Sequence, residues 1–270
     1  LAIPVVVDPV LGKRGEMKHP EVSCFVPTYN EEKTIVATLG RLHECMSSIV
    51  SDFELVVVDD HSQDRTVSVA RSMTHTEIRV ITNKRGPSFR ENLGRAMCEA
   101  PAPIAVFCDA DYVPEVATLR ALLACFEDGA DLAIGSRYHP ESRVKRGAFR
   151  WTISKLYNHL MRVLYQSKFP DHQCGLKAFR TETLRRLCRE MSPDPDFSRR
   201  WFWDAELLVR AQCADLTISQ IPVSWPCRPD SRAMILKQYS MLPWMIRLWR
   251  ETRFPTSRSG GIERGERKTY

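Results

Sequence analysis

Long hydrophobic runs are missing from this chain of 270 residues. No stretch reaches the roughly 18 uninterrupted apolar residues that a membrane span needs, so no helix is expected to cross a bilayer by itself. The apolar opening, residues 1–7, lacks a basic leader and is stopped by Asp8 and Pro9, so it does not read as a signal peptide. Neither G-x-G-x-x-G nor G-x-x-x-x-G-K-[ST] occurs, and the dinucleotide and P-loop readings lose their main support. The nine cysteines are odd in number, include no C-x-x-C pair and lie mostly in apolar runs, which fits buried free thiols in a reducing compartment better than bridges or a zinc site. There is no internal repeat.

What remains is an ordinary globular composition, 43% hydrophobic and 27% charged, long enough for one large α/β domain or two small ones. The formal net charge of +6 is unevenly placed. Residues 228–270 hold ten Lys/Arg against four Asp/Glu, and residues 1–227 are balanced. A second basic block, 137–168, includes Arg137, Arg143, Lys145, Arg150, Lys155 and Arg162 against Glu141 alone. Two basic patches on a neutral body point to polyanionic partners: nucleic acid, anionic lipid or phosphate-bearing substrates.

From residue 22 short apolar runs alternate with helical spacing. Strands are expected at 22–26, 54–58, 78–81, 104–108, 132–134 and 216–223, with a short extended run at 174–179. Helices are expected at 64–73, 88–99, 115–127, 147–165, 181–190 and 203–213, and a first one through Ile35, Leu39, Leu42 and Met46, capped by Asn30. Such alternation means an α/β fold with a mostly parallel, doubly wound sheet, whose ligands bind beyond the carboxyl ends of the strands. The organisation expected is an extension (1–20), a catalytic domain (21–226), a closing loop with an amphipathic interfacial segment broken at Pro243 (227–254), and a disordered basic tail (255–270).

The strand ends carry the polar groups. Pro27-Thr28-Tyr29-Asn30-Glu31-Glu32 follows the first, and Asp59-Asp60-His61-Ser62-Gln63-Asp64 the second, where Ser62 would cap the next helix and a carboxylate could accept from a base edge or ribose hydroxyl. Arg85, beyond the third, reads as a solvated loop arginine or a ligand for a donor phosphate. Asp109-Ala110-Asp111 follows the fourth; on an extended segment both carboxylates would share one side and invite Mg²⁺ or Mn²⁺, which bridge readily to a diphosphate. A phosphatase-type site is the alternative for that pair, but it leaves Asp60 unexplained.

In this order, Pro27–Glu31, Val57-Val58-Asp59-Asp60-x-Ser62, Asp109-Ala110-Asp111 and Gly135-Ser136-Arg137 resemble the inverting family 2 glycosyltransferases with a GT-A fold. The runs Asp171–Phe179 and Trp201–Leu208 are similar to the dolichyl-phosphate glucosyltransferases and archaeal dolichyl-phosphate hexosyltransferases. The resemblance covers about residues 21–250. It implies a nucleotide-sugar donor held by Pro27, Tyr29, Glu31 and Asp60, and a Mg²⁺ or Mn²⁺ diphosphate site at Asp109 and Asp111, with Ala110 between them. It implies a lipid phosphate held by Arg137, Arg150, Ser154 and Lys155, with Gln173 and Lys177 in support, and a donor-closing loop at Ser231-Arg232.

The reaction so implied moves a hexose, glucose from UDP-glucose ahead of mannose from GDP-mannose, to dolichyl or polyprenyl phosphate. The acceptor phosphate, with a second pKa of roughly 6, arrives ionised and needs cations more than a base. Asp204 and Glu206 are candidates for the catalytic set, either as the base that a sugar-hydroxyl acceptor would require or in donor positioning and helix anchoring. The membrane partner is a bilayer surface, with the enzyme peripheral on its cytoplasmic face. Nucleic acid is not an expected partner, because the four acidic strand-end residues would repel its phosphates.

Overall fold

The computed structural model describes residues 20–145, 147–225 and 240–253. Alternating apolar residues fix two faces of one sheet. In β1 (Val22–Thr28) Cys24 and Val26 point to one side and Phe25 to the other, and in β2 (Phe53–Asp59) Leu55 and Val57 oppose Val56 and Val58. The chain continues through β3 (Ile78–Thr82), β4 (Ile104–Cys108), β5 (Leu132–Ser136), β7 (Leu176–Arg180) and β8 (Ile218–Pro222), while β6 (Arg143–Val144) and β9 (Ser224–Trp225) form a separate parallel pair. The main sheet has seven strands in the order β3-β2-β1-β4-β7-β5-β8. It is parallel except at β7, which runs antiparallel to both β4 and β5. The expected short run at 174–179 is therefore a full member of the sheet.

On one face lie α1 (Ile35–Ser47), α2 (Thr66–Arg71) and α4 (Val116–Glu127), which bury Ile35, Leu39, Leu42, Met46, Leu119 and Leu122 against the sheet. On the other lie α3 (Glu91–Cys98), α6 (Thr181–Glu190) and α7 (Phe202–Cys213). A large aliphatic side chain buried there contributes on the order of 1.5–3 kcal/mol. α7 is buried on two sides. Trp203, Leu207 and Leu208 face the sheet, and Phe202, Ala205 and Val209 pack with Met161 and Tyr165 of α5 (Ala148–Tyr165) and Met245 and Leu248 of α8 (Leu242–Arg253).

Pro243 does not break α8. It lies in the first turn, where its missing N–H has no intrahelical partner to lose. Asn30 does not cap α1 either: with φ 57° it occupies the left-handed region, and the cap position falls at Thr34. Asn30 instead laces two loops, its N–H donating to Ser62 Oγ at 3.0 Å and its Oδ1 accepting from Gln63 N at 2.8 Å. Ser62 is thereby drawn away from α2, whose first turn is held by Asp64 accepting from Thr66 N at 2.9 Å.

The chain runs outward from β1 through β2 to β3 and then returns to β4 on the other side of β1, so the strand order reverses between these two neighbours, and the carboxyl ends of β1 and β4 are where a ligand crevice is expected. Among the described residues no helix is long and apolar enough to cross a membrane. The eight described cysteines are all free, four of them buried.

Candidate active site

Pro27, Tyr29 and Glu31 leave β1 at this crevice, with Tyr29 exposed and Glu31 held by its N–H to Thr66 Oγ1 at 2.7 Å. Opposite them residues 109–111 do not continue β4 as an extended segment. They form a tight turn in which Tyr112 N donates to Asp109 O at 2.8 Å, so strand alternation does not set the directions of Asp109 and Asp111. Other contacts do. The Asp109 N–H donates to Gly175 O at 2.9 Å, and its carboxylate nests over Gly175 so closely that a Cβ there would fall 1.9 Å from Oδ2. Ala110 is buried, and its carbonyl accepts from Thr38 Oγ1 at 2.8 Å.

Asp111 lines a cavity of about 1030 Å³ between the start of α1 and the β6–β9 pair. The same lining holds four cationic side chains, Lys33, Arg41, Arg143 and Lys145, and one further acid, Glu115, with Trp225 as its aromatic member. Tyr112 stacks on that indole at 4.0 Å between ring centroids, and the Arg137 guanidinium lies 5.6 Å above it.

Two carboxylates on one turn suit a hard divalent cation, and the Gly175 cradle leaves room for nothing bulkier than hydrogen beside Asp109. Among the described residues no third His, Cys, Asp or Glu converges on this pair as a ligand. Asp109 and Asp111 would therefore hold Mg²⁺ or Mn²⁺ jointly with substrate oxygens, which is how Mg²⁺ is commonly bound.

Arg90, which carries no motif, ties the site to the core. Its Nη2 pairs with Asp109 Oδ1 at 2.8 Å and its Nε with Asp204 Oδ2 at 3.0 Å. Lys177 Nζ reaches Asp204 Oδ1 at 3.1 Å and Cys174 O at 2.6 Å. Arg90 and Lys177 both lie over the Phe107 ring. Both Asp204 oxygens are thus engaged by buried cations, and the residue is 1% exposed. It is not placed to act as a base. Glu206 is equally buried and lies on another side of α7, paired with Arg199 at 3.1 Å and Arg210 at 2.8 Å. Both candidates for the catalytic set are structural ion-pair centres, because apolar surroundings force a buried carboxylate to take a partner.

Asp60, expected on the donor, is tied to the loop ahead of α3. Its Oδ1 accepts from Ser88 Oγ and Asn92 Nδ2 at 2.8 and 2.7 Å, and its Oδ2 from the Ser88 and Phe89 N–H groups at 2.7 and 2.8 Å. Four bonds from within the chain engage both oxygens of this carboxylate. Asp60 shapes the loop from Gly86 to α3, where a Cβ on Gly86 would lie 2.3 Å from the Asp60 carbonyl oxygen. Arg85 donates to Pro195 O at 3.1 Å and lies over the Phe197 ring.

On the acceptor side, Arg137 grips Asp171 bidentately, Nε to Oδ2 and Nη2 to Oδ1, both at 2.7 Å. Burial alone would raise the Asp171 pKa, but the Arg137 charge and hydrogen bonds outweigh it and hold it at about 2. Most of Arg137 is thus committed to Asp171 rather than to a phosphate. Tyr138 links it to α5, donating to Ser154 Oγ at 2.8 Å and stacking on Trp151. Arg150 sits one turn before Ser154, and exposed Lys155 lies over Trp151 at 4.8 Å. Gln173 Nε2 approaches Trp201 O at 3.5 Å. Ser231 and Arg232 lie outside the described residues.

Residues 23–188 match the family model described as Glycosyl transferase family 2. The chain belongs to that family. Among curated relatives, Glycosyltransferase AglD of Haloferax volcanii is 31% identical over 235 residues, covering 85% of this chain and 37% of that protein. The Dolichyl-phosphate beta-glucosyltransferase of Drosophila melanogaster is 31% identical over 229 residues, covering 76% of this chain and 67% of that protein. The Dolichol-phosphate mannosyltransferase of Pyrococcus furiosus is 33% identical over 139 residues, half of this chain and 38% of that one. This family 2 chain thus spans little more than a third of the Haloferax protein. In three dimensions it resembles the glucosyl-3-phosphoglycerate synthase of Mycobacterium tuberculosis, solved with Mn²⁺, UDP and glucosyl-3-phosphoglycerate, with a TM-score of 0.61 at 20% identity over 88% of this chain and 82% of that one. The fold is GT-A.

Proposed function

We propose that this family 2 glycosyltransferase transfers a hexose, glucose from UDP-glucose ahead of mannose from GDP-mannose, to the phosphate of dolichol or a related polyprenol at a membrane surface. The observation that carries the reading is that Asp111, on the acidic turn at the strand-order switch, lines one cavity together with Lys33, Arg41, Arg143 and Lys145. That juxtaposition suits two phosphate-bearing reactants better than a neutral acceptor. The relatives named for dolichyl-phosphate glucosyl and mannosyl transfer support the acceptor class.

The chemistry follows from what each group can do. An acceptor phosphate oxygen attacks the anomeric carbon, the bond from that carbon to the nucleotide diphosphate breaks on the opposite face, and the configuration inverts. Mg²⁺ or Mn²⁺ at Asp109 and Asp111 would supply charge neutralisation to the departing diphosphate. Arg90 keeps Asp109 oriented for that task, and the Gly175 cradle keeps it in place. The acceptor is already ionised, so the burial of Asp204 and Glu206 costs the reaction nothing, whereas a sugar-hydroxyl acceptor would call for an open carboxylate base. Lys33, Arg41, Arg143 and Lys145, with Arg150 and Lys155 at the mouth of α5, bring the two anions together.

Docking to a bilayer fits the outer surface of α5 and α8. Phe149, Leu156, Leu160 and Val163 recur at helical spacing on α5 and stay exposed, as do Leu242 and Ile246 on α8. Basic residues flank them, Arg150, Lys155 and Arg162 on one helix and Arg247, Arg250 and Arg253 on the other, the makeup of an interfacial surface. The expected interfacial segment thus gains α5 as its neighbour, and α8 buries its other face against α5 and α7.

The test is transfer itself. The purified chain with Mg²⁺ or Mn²⁺, dolichyl phosphate and a panel of labelled nucleotide sugars should give label that partitions into organic solvent. Asp111→Asn should reduce it by at least ~100-fold. Product that stays in the aqueous phase with every donor would overturn the acceptor assignment.

A further inference from the structure

At the opposite edge of the sheet, His43, His75 and Glu77 form a cluster that the transfer reaction does not use. His43 comes from the third turn of α1, and His75 and Glu77 from the turn between α2 and β3. The turn is fixed by backbone bonds, Ile78 N to His75 O at 3.2 Å and Leu55 N to Glu77 O at 2.8 Å. Each of the three residues offers a ligand atom, and these atoms all lie within 4.8 Å of one another. Among the described residues this is the only such group of three or more.

An ordinary ion pair accounts for only part of the arrangement. His43 Nε2 is buried and lies 3.4 Å from Glu77 Oε2, without meeting the geometry of a hydrogen bond. His75, on the solvent side, contributes nothing to that pair, yet its ring packs on the His43 ring with centroids 4.1 Å apart and planes 32° apart. Phe53 braces His43 from beneath, with centroids 5.4 Å apart. A braced imidazole with an unsatisfied nitrogen, a second imidazole against it and a carboxylate alongside make a ligand set for a borderline metal, not for Mg²⁺.

We propose that His43, His75 and Glu77 bind one Zn²⁺ ion, with water completing a tetrahedral shell. Zinc–nitrogen and zinc–oxygen bonds of about 2.0–2.1 Å would draw the three ligand atoms to roughly 3.3 Å apart. His75 is exposed, and rotation of its side chain would close that distance. The ion would tie α1 to the turn ahead of β3, far from Asp109 and Asp111 at the carboxyl edge. The site does not depend on which sugar or acceptor the enzyme uses.

The experiment titrates the chelator-stripped full chain with ZnCl₂ alone, by calorimetry, with excess Mg²⁺ present to occupy hard-oxygen sites. One equivalent should bind with micromolar or tighter affinity, and zinc should raise the unfolding temperature, because it binds the folded chain. His75→Ala, on an exposed side chain that the fold does not need, should weaken zinc binding by more than about tenfold. Glu77→Gln should also weaken it, while Asp111→Asn leaves it unchanged. Absence of saturable zinc binding, or equal affinity in His75→Ala, would overturn the assignment, the second outcome placing the ion on cysteines instead.

Discussion

Asp204 on α7 holds Arg90 at the start of α3 through an Nε–Oδ2 contact of 3.0 Å, and so reaches the acidic turn without touching it. Arg90 spends its other arm on Asp109. Removing the Asp204 charge leaves Arg90 and Lys177 facing one another across a buried space. Breaking a buried pair in this way costs about 3–5 kcal/mol. Asp204→Asn should therefore lower the urea midpoint strongly and reduce transfer through the loosened Asp109. If Asp204 were the base, stability would hold and only turnover would collapse, so paired unfolding and rate measurements separate the two roles.

Gly175 supplies a narrower probe of the same carboxylate. The added methyl of Gly175→Ala would meet Asp109 Oδ2 at 1.9 Å, and the side chain can swing away where the backbone cannot. The variant should fold, break the Arg90–Asp109 pair and lose transfer by more than about tenfold, an effect expected when an outer support of a metal ligand is removed. Dependence of the rate on Mn²⁺ concentration is the readout. A half-saturation point equal to that of the parent enzyme would show that Asp109 does not need its cradle.

Much of the sheet was legible because its strands are near-continuous apolar runs, and Ile104–Cys108 is predicted to the residue. The antiparallel insertion of β7 was not, since nothing local to Leu176-Lys177-Ala178-Phe179 states which neighbours it joins. Lys177 makes sense inside a sheet only once Asp204, 27 positions on, is known to face it. The acidic turn could be found from its two aspartates, whereas Arg90 stands in no motif. Asp60 shows the converse difficulty: its sequence position is that of a ligand-binding residue, and nothing local to it states that the loop folding back from Ser88 to Asn92 also bonds its oxygens.

Histidine 172 gives the fold a defined response to acid. It is buried, its Nδ1 donating to Asn158 Oδ1 at 2.7 Å and its Nε2 accepting from Ser167 Oγ at 2.7 Å, which fixes the neutral tautomer. Burial pushes its pKa down from 6.5 to about 4 even though Asp171 lies next to it. The unfolded chain therefore takes up the proton first, and the stability present at neutral pH is lost as the pH falls from about 6.5 towards 4. Asp171, held at about 2 against an ordinary 3.8, adds a further loss only below that window. His172→Gln should flatten the upper part of the curve while leaving the Asp171 limb, as read by denaturant midpoints at successive pH values. An unchanged slope between pH 6.5 and 4 would assign the acid response to other groups.

The exposed apolar face of α5 makes the membrane reading measurable. Leu156 and Leu160 are 63% and 39% exposed, one helical turn apart, and neither belongs to a buried core cluster of the described residues. Burying each in an interface contributes about 1.5–3 kcal/mol. Leu156→Glu with Leu160→Glu should therefore leave the unfolding midpoint nearly unchanged and weaken binding to vesicles of phosphatidylcholine and phosphatidylserine by at least ~100-fold. Transfer to a short-chain, water-soluble polyprenyl phosphate should survive in the variant, because Asp111 and its cavity are untouched. Arg150→Ala should do the reverse, impairing acceptor use with little change in donor affinity. Vesicle binding by the double variant equal to that of the parent would mean that α5 faces a protein surface or water, and that the bilayer is engaged elsewhere.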